Sequence, residues 1–314
     1  GPRCVKYGVT RDYLLGLEVV TPQGEIITTG GQTIKNVVGY DLTRLIAGSE
    51  GTLGIITKII LKLLPKPEAK KTMLVFFKSI DGAAQSVSDI VGAKIIPTTL
   101  EFMDRATINC IRGKSEIEIP RSCQAILIIE VDGDREVLDR DVERILDAIA
   151  DNDIIETTIA ESDEESERIW QVRRVVSPSL KQLNPDKFNE DIVVPRSKVP
   201  DMIRALEQIA DTYQVPIVNF GHAGDGNIHV NAMVDLRDEG MDEKIQKVMD
   251  DIFNAAIDLG GSISGEHGIG TSKAKYLSYE LNQQTIGCMK AIKSALDPQN
   301  ILNPGKIFRD QEGA

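Results

Sequence analysis

The sequence predicts an α+β fold in which a sheet carries helices on one face. Two observations carry this prediction. Strand and helix patterns alternate from residue 72 to residue 213, and two prolines within residues 65–68 separate that stretch from an earlier segment rich in strands and glycine. With 314 residues, and 41% of them hydrophobic, the chain is long enough to form two domains of ordinary size.

The first segment predicts a hairpin followed by a glycine-rich loop. Residues 14–20 and 25–29 have strand composition, and the TPQG sequence between them is a turn signal. A glycine-rich stretch covers residues 30–54, and residues 54–64 have the pattern of a long strand. Two prolines with charged neighbours at residues 65–68 cannot continue a central strand, so we expect a domain boundary there.

Beyond this boundary, the alternating order is typical of a duplicated β-α-β unit. The predicted elements are strands over residues 72–77, 99–103, 125–131, 155–160 and 191–194, and helices over residues 83–90, 136–150, 164–180 and 200–213. The last third contains an apolar stretch over residues 215–234 with a Gly-Asp-Gly turn, helices over residues 243–259 and 282–296, and a glycine-rich loop over residues 260–270.

Charge and cysteine content exclude several classes of protein. The chain has 36 Lys and Arg against 48 Asp and Glu, and its net charge of -12 argues against a nucleic-acid-binding surface and against direct docking on anionic lipid. Its apolar runs are shorter than the roughly 20 residues that span a bilayer. Four scattered cysteines without a C-x-x-C pair fit reduced thiols. We expect a cytoplasmic protein, either free or held at the membrane periphery by a partner subunit.

All three histidines lie in two short segments that are rich in glycine. These are GHAGDGNIHVN at residues 221–231, with His222 and His229, and GEHGIG at residues 265–270, with His267. Asp-Gly is a strong signal for a two-residue hairpin turn, and at residues 225–226 it predicts that His222 faces His229. Their Cβ atoms would then be about 4.5–5.5 Å apart on one face, with Phe220 and Asn231 as another facing pair.

Two facing imidazoles and one carboxylate form a three-ligand site for a divalent metal with an open position for substrate. Glu266 is the candidate carboxylate, and the adjacent His267 would be near the metal yet able to act as a base. The alternative is that each histidine is only a hydrogen-bonded residue beside a turn. For one histidine alone that alternative is favoured, but the joint clustering favours a site.

Four segments resemble the FAD-linked oxidases of the vanillyl-alcohol oxidase type, in particular the flavin subunit of glycolate oxidase and D-lactate and D-2-hydroxyglutarate dehydrogenases. They are KYGVTRD at residues 6–12, NVVGYD at 36–41 together with GSEGTLGIIT at 48–57, the two histidine segments, and NPGK at 303–306. The resemblance implies the second half of an FAD-binding α+β domain over residues 1–66, a ferredoxin-like antiparallel cap domain with helices over 67–297, and a tail over 298–314 that returns to the flavin.

The resemblance also implies which residues hold FAD. The segment at residues 48–54 lines the cofactor in this family, and glycine allows the backbone to approach a ligand because it has no Cβ. The matching positions are Glu50, Gly51, Gly54, Ile55 and Asn303. Without the other segments, a simple turn before a strand would explain these glycines equally well.

The metal ligands and the base implied by the resemblance agree with those expected from the residues alone. The family places a divalent ion, zinc or manganese, on the positions of His222, His229 and Glu266, and proton abstraction on that of His267. Arg173 and Asn231 match positions that contact the substrate in this family. The arginine role is chemically reasonable, because a guanidinium fork suits a carboxylate. Arg174 competes for the arginine role, and either arginine could be a solvated residue of a helix face.

Two departures from the family pattern limit these implications. Asn189, in FNED at residues 188–191, stands where the 2-hydroxyglutarate enzymes carry a substrate-binding lysine, which argues against a second substrate carboxylate. The chain also lacks the first half of the FAD domain and begins without an initiator Met. We expect a fragment that binds FAD poorly or not at all and is inactive alone.

The implied activity is FAD-dependent oxidation of a D-2-hydroxy acid, glycolate or D-lactate, to the 2-oxo acid. Electrons would pass to an iron–sulfur subunit, an electron-transferring flavoprotein or a quinone. No G-x-G-x-x-G fingerprint is placed to bind a nicotinamide cofactor. Two alternatives stay open, namely a flavin-free metal-dependent hydrolase that uses the histidine site, and a non-catalytic fragment.

Overall fold

The strands of the chain form two separate antiparallel sheets in the computed structural model, which describes residues 1–309. The strands are β1 (Leu14–Val20), β2 (Ile26–Gly30), β3 (Ile55–Leu61), β4 (Ala69–Phe77), β5 (Thr99–Met103), β6 (Ala125–Gly133), β7 (Ile154–Ile159), β8 (Asp186–Val193), β9 (Ile217–His222) and β10 (Asn227–Val234). Nearly every predicted strand is present, with ends that differ by a few residues.

The helices are interspersed among these strands. They are α1 (Cys4–Tyr7), α2 (Leu42–Ile46), α3 (Ile80–Gly92), α4 (Arg105–Ile111), α5 (Arg135–Ile149), α6 (Asp163–Arg174), α7 (Val176–Leu180), α8 (Val199–Tyr213), α9 (Met241–Asp258), α10 (Leu277–Glu280) and α11 (Gln283–Leu296). The helix predicted over residues 164–180 is two helices, and α4 was not predicted. Among residues 1–309, none of the helices is both long enough and apolar enough to cross a bilayer.

Contacts divide the chain into two compact units. The first contains residues 1–7 and 66–265, and the second contains residues 8–65 and 266–314. The division after residue 65 coincides with the proline pair. The second division follows Gly265, whereas the domain boundary expected from the resemblance lies after residue 297.

The first unit is built on a seven-stranded sheet with the strand order β7-β4-β6-β5-β9-β10-β8. Its first four strands have the order expected of a ferredoxin-like β-α-β-β-α-β arrangement, with α3 and α5 as the crossover helices and α4 inserted between β5 and β6. β6, β9 and β10 lie in the interior of the sheet, and their side chains are almost all buried. Such strands have continuous apolar runs because both faces are covered.

The prediction that helices cover one face of this sheet is wrong. Leu74 and Phe76 of β4 belong to a core cluster with α4, α6 and α7. The alternate β4 residues, Met73 and Val75, are equally buried and lie on the opposite face because strand side chains alternate. The helices α3 and α5 contact β4 and β6, and α8 contacts both β9 and α3. The sheet is therefore covered by helices on both faces.

The second unit contains the small sheet β2-β1-β3 and the C-terminal helices. The predicted hairpin is confirmed, since β1 pairs with β2 in antiparallel register. Its core is small and consists of Leu14, Leu17, Val19, Ile46 and Ala47. The side chains of β3 are largely exposed, in contrast to those of β1.

Candidate active site

The loop between β9 and β10 places two of the three histidines. β9 ends at His222 and β10 begins at Asn227, so four residues form the loop rather than the predicted two. The N–H groups of Asp225 and Gly226 both donate to the His222 carbonyl, at 3.3 and 3.0 Å. Gly226 has a φ of 84°, and a Cβ there would lie 1.9 Å from the Val194 carbonyl oxygen. Glycine is therefore required at this position.

The longer loop changes the register of the hairpin. His222 pairs with Asn227, and His229 pairs with Phe220. The predicted pairing of His222 with His229 is wrong, and so is that of Phe220 with Asn231. The partner of each β9 residue is displaced by two positions. Because side chains alternate with a period of two, this even displacement leaves every side chain on the predicted face.

His222 and His229 are therefore diagonal neighbours on one face of the sheet. Their Nε2 atoms lie 3.3 Å apart, and their rings meet edge to face at a centroid distance of 5.0 Å. Both residues are buried, with 5% and 8% of their surface exposed. Two ring nitrogens thus converge on a small region where little water has access.

A buried carboxylate contacts His222 from the neighbouring strand. Glu101 of β5 pairs with His222 across the ladder, and its Oε1 is hydrogen-bonded to His222 Nδ1. Its other oxygen, Oε2, accepts a hydrogen bond of 2.9 Å from Arg173 Nε. Glu101 is 1% exposed. One carboxylate therefore connects a predicted metal ligand to a predicted substrate ligand.

A second buried carboxylate lies opposite His229. Asp191 of β8 pairs with His229 across the ladder, and its Oδ1 is 3.9 Å from His229 Nδ1. Its oxygens accept hydrogen bonds from Asn227 Nδ2 at 2.5 Å and from the N–H of Gly265 at 2.9 Å. Each histidine of the pair therefore has a carboxylate as its cross-strand partner, on the neighbouring strand that does not carry the other histidine.

The contacts of Glu101 and Asp191 with the histidines were not predicted from the sequence. A signal was present in both cases, since each acid lies within or beside a predicted strand of otherwise apolar side chains. A carboxylate in such a position is buried only when it has partners. The identity of those partners depends on strand order, which the sequence does not specify.

The structure distinguishes the two candidate arginines. Arg173 lies in the last turn of α6, where the helix dipole favours a cation, and its side chain is 18% exposed. Among residues 1–309, its terminal nitrogens Nη1 and Nη2 have no hydrogen-bond or ion-pair partner. Arg174 instead uses both terminal nitrogens on Glu167 at the helix surface. Only Arg173 has an open fork beside the histidines.

Phe220 links the arginine to the second histidine. The guanidinium carbon of Arg173 lies 4.1 Å from the Phe220 ring centroid, a cation–π distance. The same ring packs against His229 with centroids 5.5 Å apart. Together with the bonds through Glu101, these contacts form a closed circuit of five side chains, Glu101–His222–His229–Phe220–Arg173, which we call the five-residue circuit.

Asn231, predicted to contact substrate, makes hydrogen bonds within the sheet. Its Nδ2 donates to the carbonyls of Val218 and His229 at 3.1 and 3.2 Å. Its Oδ1 accepts a bond of 2.8 Å from Asn189 Nδ2, the residue in the position of the family lysine. Both side chains lie on the histidine face of the sheet, because Asn231 and Asn189 are cross-strand partners.

In the second unit, Glu50 connects two loops through hydrogen bonds. Its carboxylate oxygens accept hydrogen bonds of 2.7 Å from the N–H groups of Ile269 and Gly270. Glu50 is one of the few non-glycine residues with a positive φ, 53°. Its side chain therefore fixes the loop that follows His267, in addition to any role beside a cofactor.

Asn303 joins the C-terminal tail to the same loop. Its Nδ2 donates to the Glu50 carbonyl at 2.7 Å. A Cβ on Gly51, which has a φ of 70°, would lie 2.6 Å from that nitrogen, so the glycine makes room for the amide. All five residues predicted to hold FAD line one cavity of about 490 Å³ within the second unit, namely Glu50, Gly51, Gly54, Ile55 and Asn303.

Glu266 and His267 belong to the second unit, in which they begin the stretch of chain that follows Gly265. Both are exposed. They follow Gly265 directly, and Gly265 is held by its hydrogen bond to Asp191. A positive φ of 80° at Gly268 turns the chain immediately after His267.

The donor set of the histidine pair suits a divalent metal. Zinc–nitrogen bonds of about 2.0–2.1 Å at ordinary tetrahedral or octahedral angles place two ligand nitrogens roughly 2.8–3.4 Å apart. The observed Nε2 separation of 3.3 Å lies in this range. The carboxylate on His222 Nδ1 is the kind of outer partner that metal-binding imidazoles usually have.

A comparison with protein-family models matches residues 66–307 to the C-terminal domain of FAD linked oxidases. Among curated proteins, the glycolate oxidase subunit GlcD of Bacillus subtilis is 49% identical over 98% of this chain and 66% of its own length. The D-lactate dehydrogenase of Archaeoglobus fulgidus is 33% identical over 98% of this chain and 67% of its own length. The chain thus spans about two thirds of these relatives, slightly less for the first.

The solved structures indicate the same fold. The crystal structure of p-cresol methylhydroxylase with substrate bound superimposes with a TM-score of 0.73 at 16% identity, covering 96% of this chain and 66% of that one. At this identity the likeness concerns the fold alone. It agrees with the antiparallel α+β architecture predicted for an oxidase of the vanillyl-alcohol oxidase type.

Proposed function

The chain belongs to the FAD linked oxidases through its C-terminal domain, and from this premise we propose that it carries the substrate-oxidising residues of an FAD-dependent D-2-hydroxy-acid dehydrogenase. The substrate would be glycolate or D-lactate and the product the corresponding 2-oxo acid. The names of the relatives support the proposal, since one is a glycolate oxidase subunit and another a D-lactate dehydrogenase.

One observation carries the proposal most directly. Within the five-residue circuit, two imidazole Nε2 atoms 3.3 Å apart lie beside an arginine whose terminal nitrogens have no partner among residues 1–309. A 2-hydroxy acid presents a carboxylate and a hydroxyl on adjacent carbons. The open guanidinium fork suits the carboxylate, and the histidine pair suits an ion that binds the hydroxyl.

The residues of this chain would act by binding, orienting and moving a proton. Arg173 would hold the substrate carboxylate with Nη1 and Nη2 while Glu101 and Phe220 keep its guanidinium in place. The burial of His222 and His229 would restrict water around the hydroxyl. His267 would accept the hydroxyl proton as general base. Asn231, already engaged within the sheet, would contact the substrate through its carboxamide oxygen.

We propose His222, His229 and Glu266 as ligands of a divalent ion, zinc or manganese. Such an ion would supply Lewis-acid polarisation of the substrate hydroxyl. The Nε2 separation and the outer carboxylate on His222 support the two histidines. Glu266 is included because of its place in the sequence motif, and metal analysis of Glu266→Gln tests it separately.

FAD, when bound, would supply the acceptor for the hydride that leaves C2 of the substrate. The cavity lined by Glu50, Gly51, Gly54, Ile55 and Asn303 fits a cofactor-binding role, because its wall combines glycines with apolar side chains and the polar side chains of Glu50 and Asn303. A protein or quinone would then take up the electrons. The word "subunit" in the name of the Bacillus relative supports a protein partner, and an iron–sulfur subunit or an electron-transferring flavoprotein would fit.

Anaerobic reduction of the flavin tests this proposal. In the FAD-loaded protein that contains this chain, we expect glycolate or D-lactate to bleach the flavin absorption band. We expect His267→Ala to bleach far more slowly, by about a hundredfold or more, while it retains the bound FAD. Unchanged bleaching in His267→Ala would remove this histidine from the mechanism, and hydrolysis of an ester or amide without flavin would favour the hydrolase alternative.

A further inference from the structure

We propose that Glu101 is a positioning residue that sets the orientation of both His222 and Arg173, so that metal binding and recognition of the substrate carboxylate depend on one buried side chain. The inference rests on the proposed function, because it concerns the ligands assigned there. It assigns a role to a residue that the sequence motifs do not include.

The first step is the bond to His222. A carboxylate accepts hydrogen bonds but donates none, so the proton between Glu101 Oε1 and the imidazole lies on His222 Nδ1. The neutral imidazole then carries its lone pair on Nε2, the nitrogen that faces His229 at 3.3 Å. Glu101 thereby selects the tautomer and the ring orientation that a metal ligand requires.

The second step is the bond to Arg173. Glu101 Oε2 accepts from Nε at 2.9 Å and leaves Nη1 and Nη2 available for another acceptor. The guanidinium group also lies over the Phe220 ring. It is therefore restrained by the hydrogen bond from Nε to Glu101 and by the ring that packs against its face. A planar guanidinium with two such restraints has little freedom left, and its open fork is already oriented for a carboxylate.

Each carboxylate oxygen of Glu101 accepts from a different residue, Oε1 from His222 and Oε2 from Arg173. A glutamine at position 101 has a single acceptor oxygen, and its NH₂ group would face the other donor. Either His222 or Arg173 would therefore lose its acceptor. Glu101 is 1% exposed, so water cannot readily replace the lost bond.

The same sheet offers a matched control. Glu130 of β6 is 3% exposed, forms an ion pair of 3.1 Å with Lys70, and accepts bonds from Thr72 and Trp170. It therefore shares burial, a cationic partner and the central sheet with Glu101, but it contacts no histidine among residues 1–309. A general effect of neutralising a buried carboxylate should appear equally in Glu130→Gln.

The experiment measures Zn²⁺ and Mn²⁺ affinity of the 314-residue chain by calorimetry, with circular dichroism to verify folding. We expect Glu101→Gln to bind the ion about 10–100-fold more weakly than wild type. We expect Glu130→Gln to bind close to the wild-type value. Equal affinity in Glu101→Gln and wild type, or an equal loss in both variants, would overturn the proposal.

Nitrogen-15 NMR of the metal-free wild-type chain provides a second readout that does not require a variant to fold. The chain has only three histidines, so their ring nitrogens can be assigned. We expect the Nδ1–H tautomer for His222 at pH 8, and an Nε2–H tautomer would overturn the inference. If wild type binds neither ion, the proposed metal site fails while the tautomer still decides the role of Glu101.

Discussion

At the scale of single residues, the candidate site depends on buried carboxylates that are paired with polar side chains. Glu101 lies between Arg173 and His222, and Asp191 lies across the ladder from His229. Leaving one member of such a pair without its partner costs more than the pair itself contributes, because the remaining group stays desolvated. These residues should therefore be sensitive even to conservative substitutions.

Substitution of the two neighbouring arginines separates their roles. We expect Arg173→Lys to raise KM for the 2-hydroxy acid at least about tenfold, because an ammonium cannot form the bidentate fork or the stacked geometry over Phe220. Arg174→Lys is the matched control, since Arg174 pairs with Glu167 at the surface. Steady-state kinetics of the FAD-loaded protein measure both, and a larger effect in Arg174→Lys would contradict the assignment.

Asp104 predicts a pH dependence of stability. Burial raises the pKa of this carboxyl from 3.8 to about 6, although bonds from Thr107 and Asn219 partly oppose the effect. A folded-state pKa above the unfolded value means that the folded state holds the proton more tightly. The free energy of unfolding therefore falls as the pH rises from about 4 to about 6, by up to about 3 kcal/mol for this group.

The substitution Asp104→Asn tests that dependence. Asparagine can still cap α4 through Thr107 but does not ionise. We expect the stability of the variant relative to wild type to be higher at pH 7.5 than at pH 4, as measured by urea unfolding. Asp134→Asn, at the exposed N-cap of α5, is the matched control. A difference that does not change with pH would show that Asp104 is not the group responsible.

Sequence reasoning identified the histidines but not their carboxylate partners. The histidines were evident because their number is small and they lie in two short glycine-rich segments. Glu101 lies 121 residues from His222, and only the insertion of β9 beside β5 brings them together. The choice between Arg173 and Arg174 likewise needed the orientation of α6, since adjacent positions on a helix differ by roughly 100° around its axis.

At the scale of secondary-structure elements, the hairpin of β9 and β10 positions the histidines. The prediction used Asp225-Gly226 as a two-residue turn, but Gly226 lies under the Val194 carbonyl and a four-residue loop forms instead. Tertiary contact with the end of β8 thus overrides the local turn preference. The histidines remained on the predicted face only because the register changed by an even number of residues.

Gly226→Ala tests the importance of this close contact. Alanine at this position would have a strained positive φ, and its Cβ would lie 1.9 Å from the Val194 carbonyl oxygen. We therefore expect a loss of at least roughly 3 kcal/mol in the free energy of unfolding. Gly113→Ala is the matched control, because Gly113 has a φ of 72° with nothing within 4 Å, and we expect it to cost about 1–2 kcal/mol. Equal losses in urea unfolding would show that the contact is unimportant.

At the scale of the whole molecule, the sequence predicted the fold class well. Alternating patterns and the proline pair indicated an α+β chain with a change of unit near residue 66, and the resemblance indicated a ferredoxin-like sheet. Helices on both faces were not predicted. The central strands have buried residues on both sides, but a short apolar run has the same pattern in a strand covered on one face or on two.

The second unit exposes several large apolar side chains. Val37, Val38 and Tyr40 are more than 90% exposed, and Ile55 and Ile59 of β3 are more than half exposed. Exposed apolar side chains that form a contiguous patch typically mark a contact with a ligand or with further protein.

The histidine pair, as proposed above, serves a flavin-linked oxidation. Anaerobic flavin reduction in the FAD-loaded protein tests it most directly when His222→Ala is compared with wild type. We predict that glycolate or D-lactate bleaches the flavin in wild type and that bleaching in His222→Ala is slower by at least about a hundredfold, with FAD still bound. Equal bleaching in the two proteins, or none in wild type with either acid, would contradict the account.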